Sequence, residues 1–235
     1  MEYNSPALLH SAGPPENPPS ITFDRVEKYF NTSQGRRVIL RETSFELKQG
    51  HSIGILGRNG MGKSTMLRMM CGMEKPNRGE VIRHSRVSWP LGLGGSLQGS
   101  LTGIENTKFV SRIYGVSSRE AIDFVQSFSD LGKAINLPVK TYSSGMRARL
   151  TFAISMALKF RCYLIDELTA VGDLRFRKKC EDTFAARRQS ADVIIVAHQL
   201  GIIRQFADSA AVLHNGELLF FNDVDDAIYY YNNLP

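Results

Sequence analysis

A glycine-rich segment in the first third of the chain constrains its fold more than any other feature. The segment reads Gly57-Arg-Asn-Gly-Met-Gly62-Lys63-Ser64 and fits the pattern G-x-x-x-x-G-K-[ST]. The short apolar run His51–Leu56 precedes it, and apolar residues at helical spacing follow from Met66 onward. In a strand–loop–helix of this kind, backbone N–H groups converge on phosphate oxygens, and the helix adds its positive N-terminal dipole. The segment therefore predicts an α/β domain that binds a nucleotide.

The residue types in this loop indicate how it would hold the nucleotide. Glycines let the backbone turn tightly around the phosphates. We expect Lys63 to contact the β- and γ-phosphates and the hydroxyl of Ser64 to bind Mg²⁺. The residues predicted to bind the nucleotide in this segment are Gly57, Arg58, Asn59, Gly60, Met61, Gly62, Lys63, Ser64 and Thr65.

A second apolar run, Cys162–Ile165, ends in two carboxylates. Ligands of open α/β sheets lie beyond the carboxyl ends of the strands, so Asp166 can reach the Mg²⁺ shell. Glu167 can polarise an attacking water, which makes it the candidate catalytic carboxylate. A solvated acidic turn is the alternative, and the phosphate loop elsewhere in the chain makes it the weaker one.

Composition limits the class of protein. The chain has 43% apolar and 22% charged residues, which excludes a wholly disordered chain, a collagen or a long coiled coil. A net charge of +6 suits anionic nucleotides, acidic lipids or nucleic acid, and equally an ordinary solvated surface. The three cysteines form no C-x-x-C pair, so they predict neither a disulfide framework nor a cysteine-ligated metal site, and a reducing cytoplasm is expected.

Segment boundaries follow from composition and periodicity. Residues 1–20 hold five of the nine prolines and are expected to form a flexible tail. The globular domain is expected to span residues 21–235, with strand-like alternation at Ile21–Phe23 and Ser44–Leu47. The apolar run Val193–Ala197 predicts another buried strand, and such runs fall far short of the roughly 20 residues of a membrane span. We therefore expect that the chain does not cross a membrane by itself.

The middle of the chain is predicted to be helical. Ser117 and Glu120 form a capping-box pattern that opens one amphipathic segment, and Gly145–Phe160 is a second. Because strand-like runs lie on both sides, residues 103–160 are expected to be a helical insert in a mostly parallel sheet.

Four segments together resemble the ABC ATPases. Gly57–Thr65, Tyr142-Ser-Ser-Gly-Met-Arg, Ile165–Asp173 and Ala197-His198 occur in the order found in that family. The Trp-Pro-containing stretch Ser88–Gly103 narrows the resemblance to ATP-binding subunits of bacterial capsular-polysaccharide exporters, the polysialic-acid transport type. The resemblance implies a P-loop NTPase core with a mostly parallel sheet, an antiparallel β subdomain and an inserted helical subdomain.

The resemblance also implies roles for residues outside the phosphate loop. Ser143 and Gly145 match the signature segment, which faces the γ-phosphate of ATP bound by the other subunit. His198 matches the switch histidine that bonds the γ-phosphate and orients the water. Gln98 would lie near Mg²⁺ and the coupling surface, with a surface amide as the alternative. Phe30, or Tyr29 beside it, would stack on adenine, with strand-edge packing as the alternative.

Two of these segments depart from the family's usual sequence. Ser144 stands where most members have glycine, and Met146 stands where glutamine is usual. Gln98 lies only three residues before Leu101, closer than in most ABC ATPases.

The implied function is ATP hydrolysis coupled to export of capsular polysaccharide. Two copies would clamp two ATP molecules head to tail, on the cytoplasmic face of the bacterial inner membrane. A separate integral membrane permease would dock at the helical insert and handle the polysaccharide, and no nucleic-acid partner is expected. The alternatives are an exporter of teichoic acid or O-antigen, and a soluble non-transport ABC ATPase that acts on nucleic acid.

Overall fold

Two β-sheets flank the glycine-rich loop. The computed structural model describes residues 19–91, 97–166, 174–196 and 200–234. The smaller sheet is antiparallel and has the order β2-β1-β4. Its strands are β1 (Ile21–Thr32), β2 (Gly35–Leu47) and β4 (Arg78–Arg83). Alternate residues at the start of β1 are buried, as expected for a sheet with one face on the core.

The larger sheet has the order β5-β6-β3-β7-β8. Its strands are β3 (Ser52–Leu56), β5 (Cys162–Asp166), β6 (Asp192–Val196), β7 (Ser209–His214) and β8 (Glu217–Phe221). Strands β5, β6, β3 and β7 are parallel to one another, and β8 runs antiparallel to β7. Strands β3, β5 and β6 are continuous apolar runs because both faces of the sheet are covered.

The described residues also form α-helices. They are α1 (Lys63–Met70), α2 (Gly103–Ile113), α3 (Ser118–Phe128), α4 (Ser144–Ala157), α5 (Leu174–Arg188), α6 (Leu200–Phe206) and α7 (Val224–Asn232). Among the described residues between β4 and β5 lie helices α2 to α4 and two short 3₁₀ turns. In the described ranges, no helix has the length and apolar character required to span a bilayer.

The larger sheet separates two hydrophobic cores. Successive strand residues point to opposite faces, so Leu164 and Ile165 enter different cores. One core joins the sheet to α1 and the antiparallel sheet, through Met66, Leu67 and Met70 of α1. The other joins it to α4, α5 and the C-terminal helices. The loop between β3 and α1 therefore lies at the edge where both sheets contribute.

The architecture confirms the fold class expected from the sequence, with a mostly parallel sheet and a separate antiparallel sheet. Of the expected N-terminal tail, residues 1–18 lie outside the described part of the chain. Ser20 is buried, and its backbone nitrogen donates to the Leu47 carbonyl at 2.8 Å.

Candidate nucleotide-binding site

Backbone geometry at the glycine-rich loop depends on two glycines. The loop connects the end of β3 at Leu56 to the start of α1 at Lys63. Gly60 and Gly62 have φ values of +78° and +104°, which side-chain-bearing residues rarely adopt. A Cβ atom at Gly62 would lie 2.3 Å from Cγ2 of Ile39 on β2. Glycine is thus required at Gly62 both by the backbone and by the neighbouring strand.

Lys63 brings a positive charge to the centre of this loop. Its side chain is buried, and Nζ donates to the carbonyls of Gly57 at 2.5 Å and Arg58 at 3.1 Å. The first turn of α1 carries no acidic residue, so nothing in that turn opposes the positive helix dipole. Loop, lysine and helix end together form an arrangement suited to phosphate oxygens.

The expected acidic residues follow strands that end at the same edge of the sheet. Ile55 on β3 pairs with Val196 on β6, which in turn pairs with Asp166 on β5. At about 4.8 Å between strands, Asp166 lies about 10 Å across the sheet from the strand that enters the phosphate loop. The predicted catalytic residues Glu167 and His198 lie outside the described residues. In the sequence, Glu167 directly follows β5 and His198 lies two residues after the end of β6.

The donors available for a divalent cation fit Mg²⁺. Ser64 lies half-buried on the first turn of α1, and Asp166 ends β5. Mg²⁺ usually takes only one or two protein ligands and completes its shell with phosphate oxygens and water. The described part of the chain has no group of three or more His, Cys, Asp or Glu residues able to hold a metal.

The antiparallel sheet places Phe30 on the side of the phosphate loop. Phe30 on β1 pairs directly with Arg37 on β2, and directly paired residues share one face of a sheet. Nη2 of Arg37 donates to the carbonyl of Gly60 at 2.6 Å. Phe30 is 39% exposed, with Lys28 Nζ 4.7 Å from the centre of its ring, so part of the side chain remains accessible to a base. Its predicted stacking role stays a prediction that this placement supports.

Tyr29 has a different environment. It pairs with Val38, so it lies on the opposite face of the strand from Phe30. The guanidinium carbon of Arg36 lies 3.9 Å from the centre of the Tyr29 ring. A cation lies over the Phe30 ring as well, where Lys28 Nζ is 4.7 Å from the ring centre, so this contact does not separate the two residues. Tyr29 is the poorer candidate for stacking on adenine because it lies on the strand face opposite to Phe30 and Arg37.

The predicted signature segment forms an exposed helix start. Ser143 is the N-cap of α4, and its Oγ accepts a hydrogen bond from the Met146 backbone at 3.2 Å. The preceding Tyr142 is buried, donates from its hydroxyl to the Ala134 carbonyl at 2.7 Å, and has its pKa raised by burial. Ser143 is exposed and Gly145 is partly exposed, so a second molecule can reach this helix end.

Gln98 lies at the entrance to the helical insert. Asn106 fixes its backbone, accepting from the Gln98 nitrogen at 2.8 Å and donating to its carbonyl at 3.0 Å. The side chain is exposed, and Nε2 donates to Ser100 Oγ at 3.4 Å. Among the described residues, no hydrogen bond joins the Gln98 side chain to Ser64 or Asp166, so its predicted metal role stays a prediction.

Sequence patterns missed two arginine contacts at the loop. Arg37 bonds to Gly60 across 23 positions of sequence, and Arg58 Nη2 donates to the Leu234 carbonyl near the C-terminus at 2.9 Å. Neither contact has a local pattern that could reveal it, because both depend on how distant segments pack against the loop.

Comparison with known proteins identifies the family. The ABC transporter family profile matches residues 40–170, which include the phosphate loop and Asp166. The capsule polysaccharide export ATP-binding protein CtrD of Neisseria meningitidis is 47% identical over 92% of this chain and 100% of CtrD. The chain belongs to the ABC transporter family. A nucleotide-binding domain of this family binds ATP, which confirms the nucleotide expected from the sequence.

Two other transport proteins and one solved structure are also similar to this chain. The polysialic acid transport ATP-binding protein KpsT of Escherichia coli is 43% identical over 88% of this chain and 94% of KpsT. The teichoic acids export ATP-binding protein TagH of Bacillus anthracis is 35% identical over 89% of this chain but only 39% of TagH. A solved dimeric ATP-binding cassette with ADP and Pi has a TM-score of 0.72 at 21% identity, over 84% of this chain and 96% of that chain. At that identity the structure supports the shared fold.

Proposed function

We propose that this chain is the ATP-hydrolysing subunit of a transporter that exports capsular polysaccharide across the bacterial inner membrane. The observation that carries the proposal is the phosphate loop with its buried Lys63, on the sheet edge that also holds Asp166. The chain aligns with all of CtrD and nearly all of KpsT, and this similarity supports capsular polysaccharide as the cargo.

Each part of the proposed ATP site has one task. The loop Gly57–Gly62 directs backbone N–H groups to the phosphates, and Lys63 neutralises the β- and γ-phosphates. Ser64 and Asp166 would hold Mg²⁺, which supplies charge neutralisation on the phosphate oxygens when bound. Phe30 would stack on the adenine ring, since it shares a face with the loop.

Hydrolysis requires one activated water and one stabilised γ-phosphate. We place Glu167 as the residue that polarises the water, because it follows Asp166 at the end of β5. The water oxygen bonds to the γ-phosphorus as Glu167 accepts one of its protons, the P–O bond to the bridging oxygen breaks with its electron pair left on ADP, and ADP and phosphate leave. His198, two residues after the end of the adjacent strand β6, would bond the γ-phosphate and orient the water.

A second copy would complete each ATP site. Ser143 and the N-terminus of α4 are exposed and present backbone N–H groups, which suits a phosphate held by another subunit. In a head-to-tail pair of this kind the same surface serves on both copies. Loss of the γ-phosphate would remove the charge that joins the two copies, so hydrolysis would loosen the dimer.

The proposed permease contact lies on the helical insert. Phe109 and Ile113, four residues apart on α2, are 53% and 63% exposed. Residues at this spacing form one helix face, so they make an apolar strip suited to a membrane subunit. The subunit would thus be peripheral on the cytoplasmic side of the inner membrane, with the polysaccharide handled by the permease.

Export of teichoic acid is the second candidate cargo. This chain corresponds to 39% of TagH, whereas it spans the whole of CtrD. The chain is 47% identical to CtrD and 35% identical to TagH, and this difference favours capsular polysaccharide. O-antigen export and a non-transport ATPase are each favoured by no observation in this structure.

The test combines purified protein with a capsule assay. Lys63→Ala should abolish ATP binding, and a strain carrying only this variant should lack surface capsule. Glu167→Gln should bind ATP, form a stable dimer with ATP and Mg²⁺, and hydrolyse very slowly. Two substitutions of exposed residues serve as controls. Lys48→Ala removes the same charge as Lys63→Ala, and Glu42→Gln removes the same charge as Glu167→Gln. Full capsule in the Lys63→Ala strain would refute the proposal.

A further inference from the structure

Strand β2 lies along the phosphate loop and contacts it twice. Nη2 of Arg37 donates to the Gly60 carbonyl at 2.6 Å. Two residues further along the strand, on the same face, Ile39 packs where a Cβ of Gly62 would lie. The Arg37 guanidinium is therefore held at the loop by a neutral carbonyl, which uses one of its five N–H donors.

Arg37 also lies beside the proposed base platform. Its direct partner across the antiparallel pair is Phe30, and both residues project to the face that meets the loop. A nucleotide with its base on Phe30 and its β- and γ-phosphates in the loop must pass its ribose and α-phosphate between them. Arg37 occupies this interval.

The charge around Arg37 is strongly positive. A cavity of about 510 Å³ is lined by Arg36, Arg37 and Arg41 together with the outer side of the loop at 59–61. Arg36 lies against the ring of Tyr29, which brings no negative charge.

Within the described part of the chain, Arg41 is the only arginine of this cavity with a carboxylate at ion-pair distance. Its Nε donates to the Asn215 carbonyl at 3.2 Å and lies 3.9 Å from a carboxylate oxygen of Glu217. Both side chains of that pair are more than 60% exposed, so solvent screens the interaction. The cavity thus keeps most of its positive charge for an anion.

We propose that Arg37 binds a non-bridging oxygen of the nucleotide's α-phosphate while it keeps its bond to Gly60. The proposal rests on the proposed function, in which the loop binds ATP. A single guanidinium then joins the α-phosphate, the loop backbone and the strand of the base platform. Arg37 is a binding residue in this arrangement, and the planar fork of its donors allows both contacts at once.

The test uses the two diastereomers of adenosine 5′-O-(1-thiotriphosphate), in which sulfur replaces one non-bridging α-oxygen. Binding is measured with EDTA present, so that no metal ion selects between the diastereomers. The wild-type chain should bind one diastereomer several-fold more weakly than the other. Arg37→Ala should weaken ATP binding by about tenfold or more and bring the ratio of the two diastereomers close to one.

Two further variants separate the effect of the Arg37 contact with the α-phosphate from the effect of the positive charge in the cavity. Arg36→Ala removes the same charge from the same cavity, so it should weaken both diastereomers slightly and leave their ratio as in the wild type. Arg37→Lys keeps the charge but not the fork, and it should recover only part of the affinity.

Three results would overturn the assignment. They are equal binding of the two diastereomers by the wild type, an unchanged ratio in Arg37→Ala, and unchanged ATP affinity in Arg37→Ala. An unchanged ratio with lower affinity would mean that Arg37 only supports the loop. Failure of the wild-type chain to bind ATP at all would instead refute the proposed function.

Discussion

Gly62→Ala tests whether β2 shapes the phosphate loop. The substitution meets two obstacles, a φ of +104° and a Cβ position 2.3 Å from Cγ2 of Ile39. A left-handed backbone costs an L-residue about 1–2 kcal/mol. Overpacking against a buried side chain adds about 1–3 kcal/mol. We therefore expect Gly62→Ala to lower the free energy of unfolding by about 2–5 kcal/mol.

Gly50→Ala is the matched control for the backbone cost. Gly50 has a φ of +79° and no heavy atom within 4 Å of its Cβ position, so only the backbone cost applies. Urea unfolding of both variants, followed by circular dichroism, gives the difference directly. In an Ile39→Ala background the extra cost of Gly62→Ala should disappear, since the overlapping atom is gone. Equal costs for Gly62→Ala and Gly50→Ala would refute the reasoning.

Three other predictions address helix α4, the helical insert and the buried thiol of Cys180. Ser143→Ala should cost about 1 kcal/mol of stability through loss of the α4 cap and should weaken the ATP-dependent dimer more than ATP binding by the monomer, measured by ultracentrifugation and titration. Asn106→Ala should cost about 2–4 kcal/mol in urea unfolding, because the buried amide serves both the nitrogen and the carbonyl of Gln98. Burial raises the pKa of Cys180 from 9.0 to about 12. The contribution of this thiol to the free energy of unfolding is therefore complete below pH 9 and is lost as the pH rises towards 12. Unfolding measured from pH 8 to pH 12 should therefore show a shallower loss of stability in Cys180→Ala than in the wild type.

Local sequence patterns predicted the elements whose determinants are themselves local. The apolar runs at β3, β5 and β6 predicted strands because a strand buried on both faces needs apolar residues throughout. The Ser117 capping pattern predicted the start of α3, and Ser117 Oγ does accept from the Glu120 nitrogen, at 3.4 Å. A complete capping box lies instead at Thr102 and Glu105, where both reciprocal bonds are present.

The environment of the candidate site was harder to predict, because it depends on contacts between distant segments. The exposed Gln98 side chain is directed to Ser100 by a loop that Asn106 organises, and no spacing rule specifies that direction. Likewise, Phe30 and Tyr29 are equivalent as neighbouring aromatic residues in sequence. Only the pairing of Phe30 with Arg37, and the contact of Arg37 with Gly60, distinguish them.

Three distant segments hold the phosphate loop in place. Strand β2 contacts Gly60 through Arg37, the C-terminal segment contacts Arg58 through the Leu234 carbonyl, and β7 lies so close that a Cβ at Gly57 would approach the Leu213 carbonyl to 2.7 Å. A loop held from three sides is pre-organised for its ligand, which lowers the ordering cost of binding. The same contacts mean that a shift of the loop on nucleotide binding must move or break one of them. Any such shift would therefore reach the antiparallel sheet and the C-terminal segment, as well as the helix that follows the loop.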